Sequence, residues 1–291
     1  MEKQEVIKSL KRIAREIRSR TIDSIYIANS GHYGSSLSWA DIAATLIFYE
    51  MDLGKNSLGQ QLKTPPVEVA PQTERDILVL SKGHGVPALY SAISLLNPRY
   101  LSGYSLTTLR EINSPLQGHP VRETLPMIDV STGSLGQGVS MAAGIAYAIK
   151  HRGQNRRVYV VVGDGECQEG QVWEAFMSAP NLGLENLTVI IDSNGYQLEG
   201  SVNGKSPQGD LKKIFNEFGF YTQEVDGHNI RELADAYSNA RVNSRDLQKP
   251  SMILAQTIKG KGVSFMEKEP WRWHGGSMTA EQYETAKKEL S

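Results

Sequence analysis

One cysteine, Cys167, stands in 291 residues, so no disulfide can form within the chain. A reducing compartment, the cytoplasm, is the expected setting. No Cys-X-X-Cys and no His-X-X-X-His spacing is present, which removes the common structural zinc patterns. Charge of one sign is also lacking: 31 Lys and Arg balance 32 Asp and Glu, leaving a net charge of −1. That argues against an electrostatic nucleic-acid binder and against a polybasic membrane binder. No apolar run approaches the roughly 18 residues that span a bilayer. The first residues, Met1-Glu2-Lys3-Gln4, run into a charged amphipathic segment and do not read as a secretion signal. What is present is an ordinary globular composition, 40% hydrophobic and 22% charged. A chain of this length buries roughly three quarters of its unfolded surface.

The apolar pattern then divides the chain into elements. Val6, Leu10, Ile13 and Ile17 form one stripe of a long first helix that stops at Asn29-Ser30-Gly31. Ser38-Trp39-Ala40-Asp41 reads as a capping box opening a second helix, through about Glu50. Residues 54–75, rich in Gly, Gln, Pro and Thr, predict an irregular loop. Ile77–Leu80, Val158–Val162, Leu187–Ile191 and Met252–Ala255 are short apolar runs, read as strands buried on both faces. Helices are expected at 87–96, after the Gly133–Gly138 turn to Ala148, and near 168–179, 210–217 and 230–242. This alternation predicts an α/β fold: one domain over 1–291, with a mostly parallel sheet flanked by helices on both faces.

Open parallel sheets bind ligands at the carboxyl ends of their strands. Gly163-Asp164-Gly165-Glu166 ends one predicted strand, and Asp192-Ser193-Asn194-Gly195-Tyr196 ends the next. Their spacing is about one βαβ unit of roughly 30 residues, so the two ends are expected side by side. An Asp and an Asn there offer two hard oxygens, which suit Mg²⁺ completed by phosphate and water. Gly165 can aim its N–H at a phosphate before the following helix. A Gly-Asp-Gly turn alone would be a generic strand-to-helix connection. The histidines strengthen the case. His32, His84, His119, His228 and His274 each have a glycine neighbour, which places them in irregular backbone near strand ends. His151 follows Lys150 at a helix end and reads as a cap on its carbonyls. A cluster of imidazoles titrating near neutrality would suit proton transfer.

In this order, the motifs resemble the N-terminal half of transketolase. The resemblance rests on Asn29-Ser30-Gly31-His32 with Asp41, on Leu80-Ser81-Lys82-Gly83-His84-Gly85, and on Gln117-Gly118-His119-Pro120. Thr132-Gly133-Ser134-Leu135-Gly136-Gln137-Gly138 follows, then Gly163-Asp164-Gly165 through Glu169-Gly170, Trp173-Glu174-Ala175 and Asn194. Val225-Asp226-Gly227-His228, Thr257-Ile258-Lys259-Gly260-Lys261-Gly262 and His274-Gly275 complete it, over about residues 5–285. The resemblance implies thiamine diphosphate and Mg²⁺ as cofactors. Asp164, Asn194 and the Tyr196 carbonyl would hold the metal. Gly165, His84, His274 and Lys261 would contact the diphosphate, with Gly133 and Leu135 along the cofactor. Glu169 would join a carboxylate network across a subunit interface. His32, His119 and His274 would surround the reacting carbon, and His228 would be structural.

The resemblance also implies two-carbon ketol transfer between sugar phosphates, by default those of the pentose phosphate route. A transketolase chain is more than twice as long. The glutamate that activates the cofactor ring is therefore expected on a second polypeptide with the pyrimidine-binding and C-terminal domains, in a dimer of heterodimers. Trp271 and Trp273 are either anchors for that partner or packing for the chain's own tail. Ser134 and Tyr33 stand where the family often has proline, and the 54–75 loop is longer than usual. The alternatives are a 1-deoxyxylulose-5-phosphate synthase-like or 2-oxo-acid dehydrogenase alpha-like subunit, or a non-catalytic paralogue.

Overall fold

A computed structural model describes residues 3–54, 57, 59–101, 103–198, 200–202 and 209–291. Positions 55, 56 and 58 of the predicted loop lie outside the described residues. In chain order the helices are α1 (Lys3–Ala28), α2 (Tyr33–Ser38), α3 (Ala40–Thr45), α4 (Val86–Leu96), α5 (Gln137–His151), α6 (Gly170–Asn181), α7 (Leu211–Phe218), α8 (Ile230–Leu247), α9 (Ser264–Lys268) and α10 (Ala280–Glu289). The strands are β1 (Ile77–Leu80), β2 (Val158–Gly163), β3 (Leu187–Ser193), β4 (Tyr196–Gln197), β5 (Gly200–Ser201), β6 (Tyr221–Asp226) and β7 (Ser251–Gln256). Five of them form one sheet in the order β1-β2-β3-β7-β6, every pair parallel. β4 and β5 make a small antiparallel ribbon beside it. No helix of the described residues is long and apolar enough to cross a membrane.

Alternation along each strand sends neighbours to opposite faces, and both faces are covered. Ile77, Val79, Val158, Val160, Val162, Val189 and Leu254 pack with Val139 and Ala142 of α5, Phe176 of α6 and Phe215 of α7. Leu78, Leu80, Tyr159, Val161, Ile190 and Ile253 pack with Leu10 and Ile17 of α1, Ile42 of α3, Leu89 of α4 and Leu233 of α8. This explains why the central strands read as unbroken apolar runs. No apolar run marks β6, which ends just before His228. Its sequence, Tyr-Thr-Gln-Glu-Val-Asp, is polar, and its residues are partly buried or exposed where it pairs with β7 at the end of the sheet.

One local reading is corrected. Ser38 does not cap a helix. It ends α2, Trp39 separates α2 from α3, and neither α2 nor α3 has a side-chain cap. The Ser38 hydroxyl instead donates to the Asp192 carboxylate at 2.6 Å, since a buried charged acceptor outcompetes a backbone group for it. For the tail, the sequence leaves two readings open. Trp273, Met278, Ala286 and Leu290 belong to the core, and Tyr283 stacks on Tyr26 with centroids 4.1 Å apart. A capping box, Thr279 with Gln282, starts α10. Trp273 is therefore committed to its own domain, while Trp271 stays 49% exposed.

Candidate active site

The β2–β3 register pairs Gly163 with Asp192, so Asp164 and Asn194 leave the sheet side by side. Asp164 ties the two loops together. One carboxylate oxygen accepts the Gly165 N–H at 2.8 Å and the other accepts the Gly195 N–H at 2.5 Å. Burial, and then the charge of Asp192, push its carboxyl up to about 6. Asn194 accepts the Tyr196 N–H at 3.2 Å and donates to Asp192 at 3.4 Å. Asp192 is fully buried. It pairs with the buried Lys82 ammonium and also takes the hydroxyls of Ser38 and Thr257. Burial pushes the Asp192 carboxyl up, but Lys82 and these donors outweigh it and hold it below the usual carboxylate range.

Glu166, to which the sequence motifs gave no role, joins three segments. Its carboxylate accepts the Ser81 hydroxyl at 2.5 Å, the Gly136 N–H at 2.9 Å and the Gly163 N–H at 3.1 Å. The ends of β1 and β2 are thereby fastened to the 133–138 turn. That turn needs glycine at 133, where φ is +138° and a Cβ would lie 2.9 Å from the His119 ring.

Four histidines converge. The His32 ring lies 5.4 Å from His84, 5.4 Å from His274 and 6.1 Å from His119, and His84 stacks on His274 at 5.4 Å. Their titration departs from the near-neutral expectation. Burial, then His274 and Arg110, bring His32 down to about 3. Burial, then Lys259 and Lys82, bring His274 down to about 4. His84 and His119 are lowered too, again mainly by burial. At pH 7 all four are neutral, able both to donate and to accept. Lys259 is 1% exposed, and its ammonium lies 3.2 Å from His274 Nδ1. Burial and then Lys82 lower it to about 8.

The acid stability of the chain should reveal this. His32 has a folded-state pKa of about 3, against about 6.5 unfolded. Between these values the unfolded chain binds the extra proton, so stability falls as pH drops from 6.5 toward 3. Urea unfolding at stepped pH should show stability declining as pH falls below about 6.5. His32→Asn should reduce that slope by up to about 1.4 kcal/mol per pH unit. An unchanged slope would contradict the burial argument.

One cleft of about 570 Å³ collects these groups. It is lined by His32, His84, His119, His274, Gly133, Leu135, Asp164, Gly165, Glu169, Asn194 and Tyr196. Lys261 is the exception among the expected residues: it lies away from the cleft, 3.6 Å from Glu267. Lys259, two positions earlier, lines the cleft instead, with Lys82, Ser35, Glu166, Gln168 and Gln197. Both lysines sat in motifs already singled out, and only the fold distinguishes which lysine of Lys259-Gly260-Lys261 faces inward. His228 stands outside: Nδ1 lies 2.8 Å from Asp41 and Nε2 accepts the Ile258 N–H at 2.9 Å. His151, at the end of α5, stacks on Tyr147.

The cleft's donor set can be tested against the cofactors. Among the described residues, no three His, Cys, Asp or Glu side chains are grouped to hold a metal unaided. A carboxylate, an amide oxygen and a carbonyl leave sites for phosphate and water, which is how Mg²⁺ is usually held. Two buried polar atoms of the wall, His32 Nδ1 and Ser35 Oγ, have no hydrogen-bond partner among the described residues. These residues fit an Mg²⁺-bound diphosphate ligand.

A family model described as the thiamine diphosphate binding domain of transketolase matches residues 9–291. The chain belongs to the transketolase family. Among its transketolase relatives is the 6-deoxy-6-sulfo-D-fructose transketolase subunit SqwG of Clostridium sp. (strain MSTE9). The two are 38% identical over 277 residues, covering 95% of this chain and 94% of that one. An apulose-4-phosphate transketolase subunit of Phocaeicola vulgatus is 34% identical over 98% of this chain and 95% of that one. Against the transketolase of Homo sapiens, identity is 36% over 94% of this chain but 40% of that one. The solved transketolase of Campylobacter jejuni superposes with a TM-score of 0.82 at 32% identity, covering 98% of this chain and 43% of that one. The chain thus spans about two fifths of single-chain transketolases and nearly all of two relatives named as subunits.

Proposed function

We propose that this chain, as a single thiamine-diphosphate-binding domain, is the N-terminal subunit of a two-chain transketolase. With a partner carrying the pyrimidine-binding and C-terminal domains, in a dimer of heterodimers, it would transfer a two-carbon ketol unit from a ketose phosphate to an aldose phosphate. The observation that carries this reading is the near-complete coverage of relatives that are themselves named as transketolase subunits.

When bound, thiamine diphosphate supplies the nucleophilic carbon that carries the ketol unit between sugars. The chain's own residues have separate tasks. Asp164, Asn194 and the Tyr196 carbonyl would hold the divalent cation. Gly165, His84 and the Lys259 ammonium would line the diphosphate, the Gly165 N–H itself being taken by Asp164. Lys259 also fixes a tautomer: if Nδ1 of neutral His274 accepts from it, the ring proton sits on Nε2 and can be donated to a sugar oxygen. His32 and His119, neutral and close, would donate and accept hydrogen bonds with the sugar's hydroxyl and carbonyl oxygens. Gly133 and Leu135 shape the wall along the cofactor. Glu169 is exposed at the cleft, where it can reach a partner's carboxylate.

The test is reconstitution. Co-expressed with a chain that carries the complementary half, the complex should transfer ketol units from a ketose phosphate, and this chain alone should not. Clear turnover by this chain alone would overturn the half-site reading.

A further inference from the structure

The long loop that precedes β1 has a structural task that the proposed function does not use. Helix α3 runs on into one π-helical turn, Leu46–Glu50, a form frequent at functional sites. The last carbonyls of a helix have no partner within it, and here the loop supplies partners. The N–H groups of Lys63, Gln61 and Gln60 donate to the carbonyls of Phe48, Tyr49 and Glu50 at 2.9, 3.1 and 3.2 Å. The Lys63 ammonium donates to the Tyr49 and Gln61 carbonyls at 3.2 and 3.3 Å. The loop is thereby fixed as one wall of an open cavity of about 610 Å³, which shares no residue with the histidine cleft. The floor of this cavity is apolar: Ile13 of α1, Phe48, Leu62, and Leu95 of α4. Its polar groups carry excess positive charge. Glu16, the only carboxylate lining it among the described residues, is taken by Arg20 at 2.8 Å. Arg20 also donates to Ser94 Oγ at 3.2 Å, which holds its guanidinium in place. No carboxylate among the described residues pairs with Arg12. Burial lowers Lys63 to about 8, so its ammonium still adds a positive charge at pH 7. A wall of this size, apolar with a few placed charges, is the usual make-up of a small-molecule site. Guanidinium groups at its edge present planar forks of donors to an oxyanion.

We infer that this cavity is a second binding site, for a small organic anion whose acid group meets Arg12 and Arg20 and whose apolar body lies on Phe48, Leu62 and Leu95. A sugar would fit poorly, because the floor offers its hydroxyls no partners. The probe is 8-anilinonaphthalene-1-sulfonate, an aryl sulfonate. It is titrated into this chain with thiamine diphosphate and Mg²⁺ present, following its fluorescence. One site per chain should saturate at tens of micromolar, as expected for a ligand of about 20 non-hydrogen atoms. Arg12→Gln should weaken binding by about 10-fold, the order of one hydrogen bond to a charged group. Arg12→Lys, which keeps the charge without the fork, should recover part of the loss. Leu62→Ala, which trims the floor, should weaken binding by about 3- to 10-fold. Cofactor retention and far-ultraviolet circular dichroism should be unchanged in all three, since none of these residues lines the histidine cleft. A second arm locates the probe directly. The Ile13, Leu62 and Leu95 methyl signals should shift along the same saturation curve, while the His32 and His84 ring protons stay still. Saturation that neither Arg12→Gln nor Leu62→Ala changes would put the probe elsewhere and overturn the inference. Absence of saturable binding to the unmodified chain overturns it as well.

Discussion

Asp164→Ala is expected to abolish Mg²⁺-dependent retention of thiamine diphosphate, with an affinity loss of at least about 100-fold, since even residues behind a metal's direct ligands cost 10- to 100-fold. The argument starts from burial. Asp164 is 4% exposed, and its carboxyl is raised by that burial and by the charge of Asp192. The fold therefore holds two acidic groups together at the ends of adjacent strands, an arrangement that a divalent cation relieves. Alanine also removes the acceptors of the Gly165 and Gly195 N–H groups, so loosened loops would mimic a lost ligand. Asp164→Asn separates the two effects, because it keeps the shape and one acceptor while removing the charge. Calorimetric titration of cofactor with and without Mg²⁺ should show both variants failing, with far-ultraviolet circular dichroism unchanged for the asparagine. If asparagine retains the cofactor within about 3-fold of the unmodified chain, the charge is not what holds the metal.

Why Asp164 could be read from the sequence, and Glu166 could not, follows from how each works. Asp164 and Asn194 stand at the ends of apolar runs, and parallel pairing alone brings such ends together. Glu166 matters because its carboxylate meets Ser81, Gly136 and Gly163, and no local spacing encodes that meeting. The two lysines of Lys259-Gly260-Lys261 share one irregular loop, where side-chain direction has no period to follow. One faces His274 and the other Glu267. Among the strands, Val158–Val162 was legible because it is buried throughout, whereas no residue of Tyr221–Asp226 is fully buried, so its sequence carries no apolar run. The histidine cluster was legible as a set through its glycine neighbours. Its low pKa values were not, because burial and mutual proximity depend on four distant segments closing on one cleft.

The largest stability loss should follow Asp192→Asn. Asp192 and Lys82 are 0% and 1% exposed, and they sit between the cleft and the sheet. Removing one charge of a buried pair strands the other, at about 3–5 kcal/mol. For a chain of this size that is a fall in Tm of roughly 10 °C. Ser38 and Thr257 meet different carboxylate oxygens, so asparagine keeps an acceptor for one of them and can donate its amide N–H to the other hydroxyl, and the loss reports the charge more than the hydrogen bonds. Lys82→Met should cost a similar amount alone and much less on top of Asp192→Asn. Urea unfolding of the four proteins should yield a coupling of about 2 kcal/mol, within the range for residues in contact. The pair also orients the site, since Asn194 donates to Asp192. The asparagine variant should therefore weaken cofactor retention by about 10- to 100-fold, as loss of support behind a metal ligand usually does. A coupling below about 0.5 kcal/mol with retention intact would mean that Lys82 finds its compensation in the Ser35 carbonyl, 2.9 Å away, and that Asn194 holds its place without Asp192.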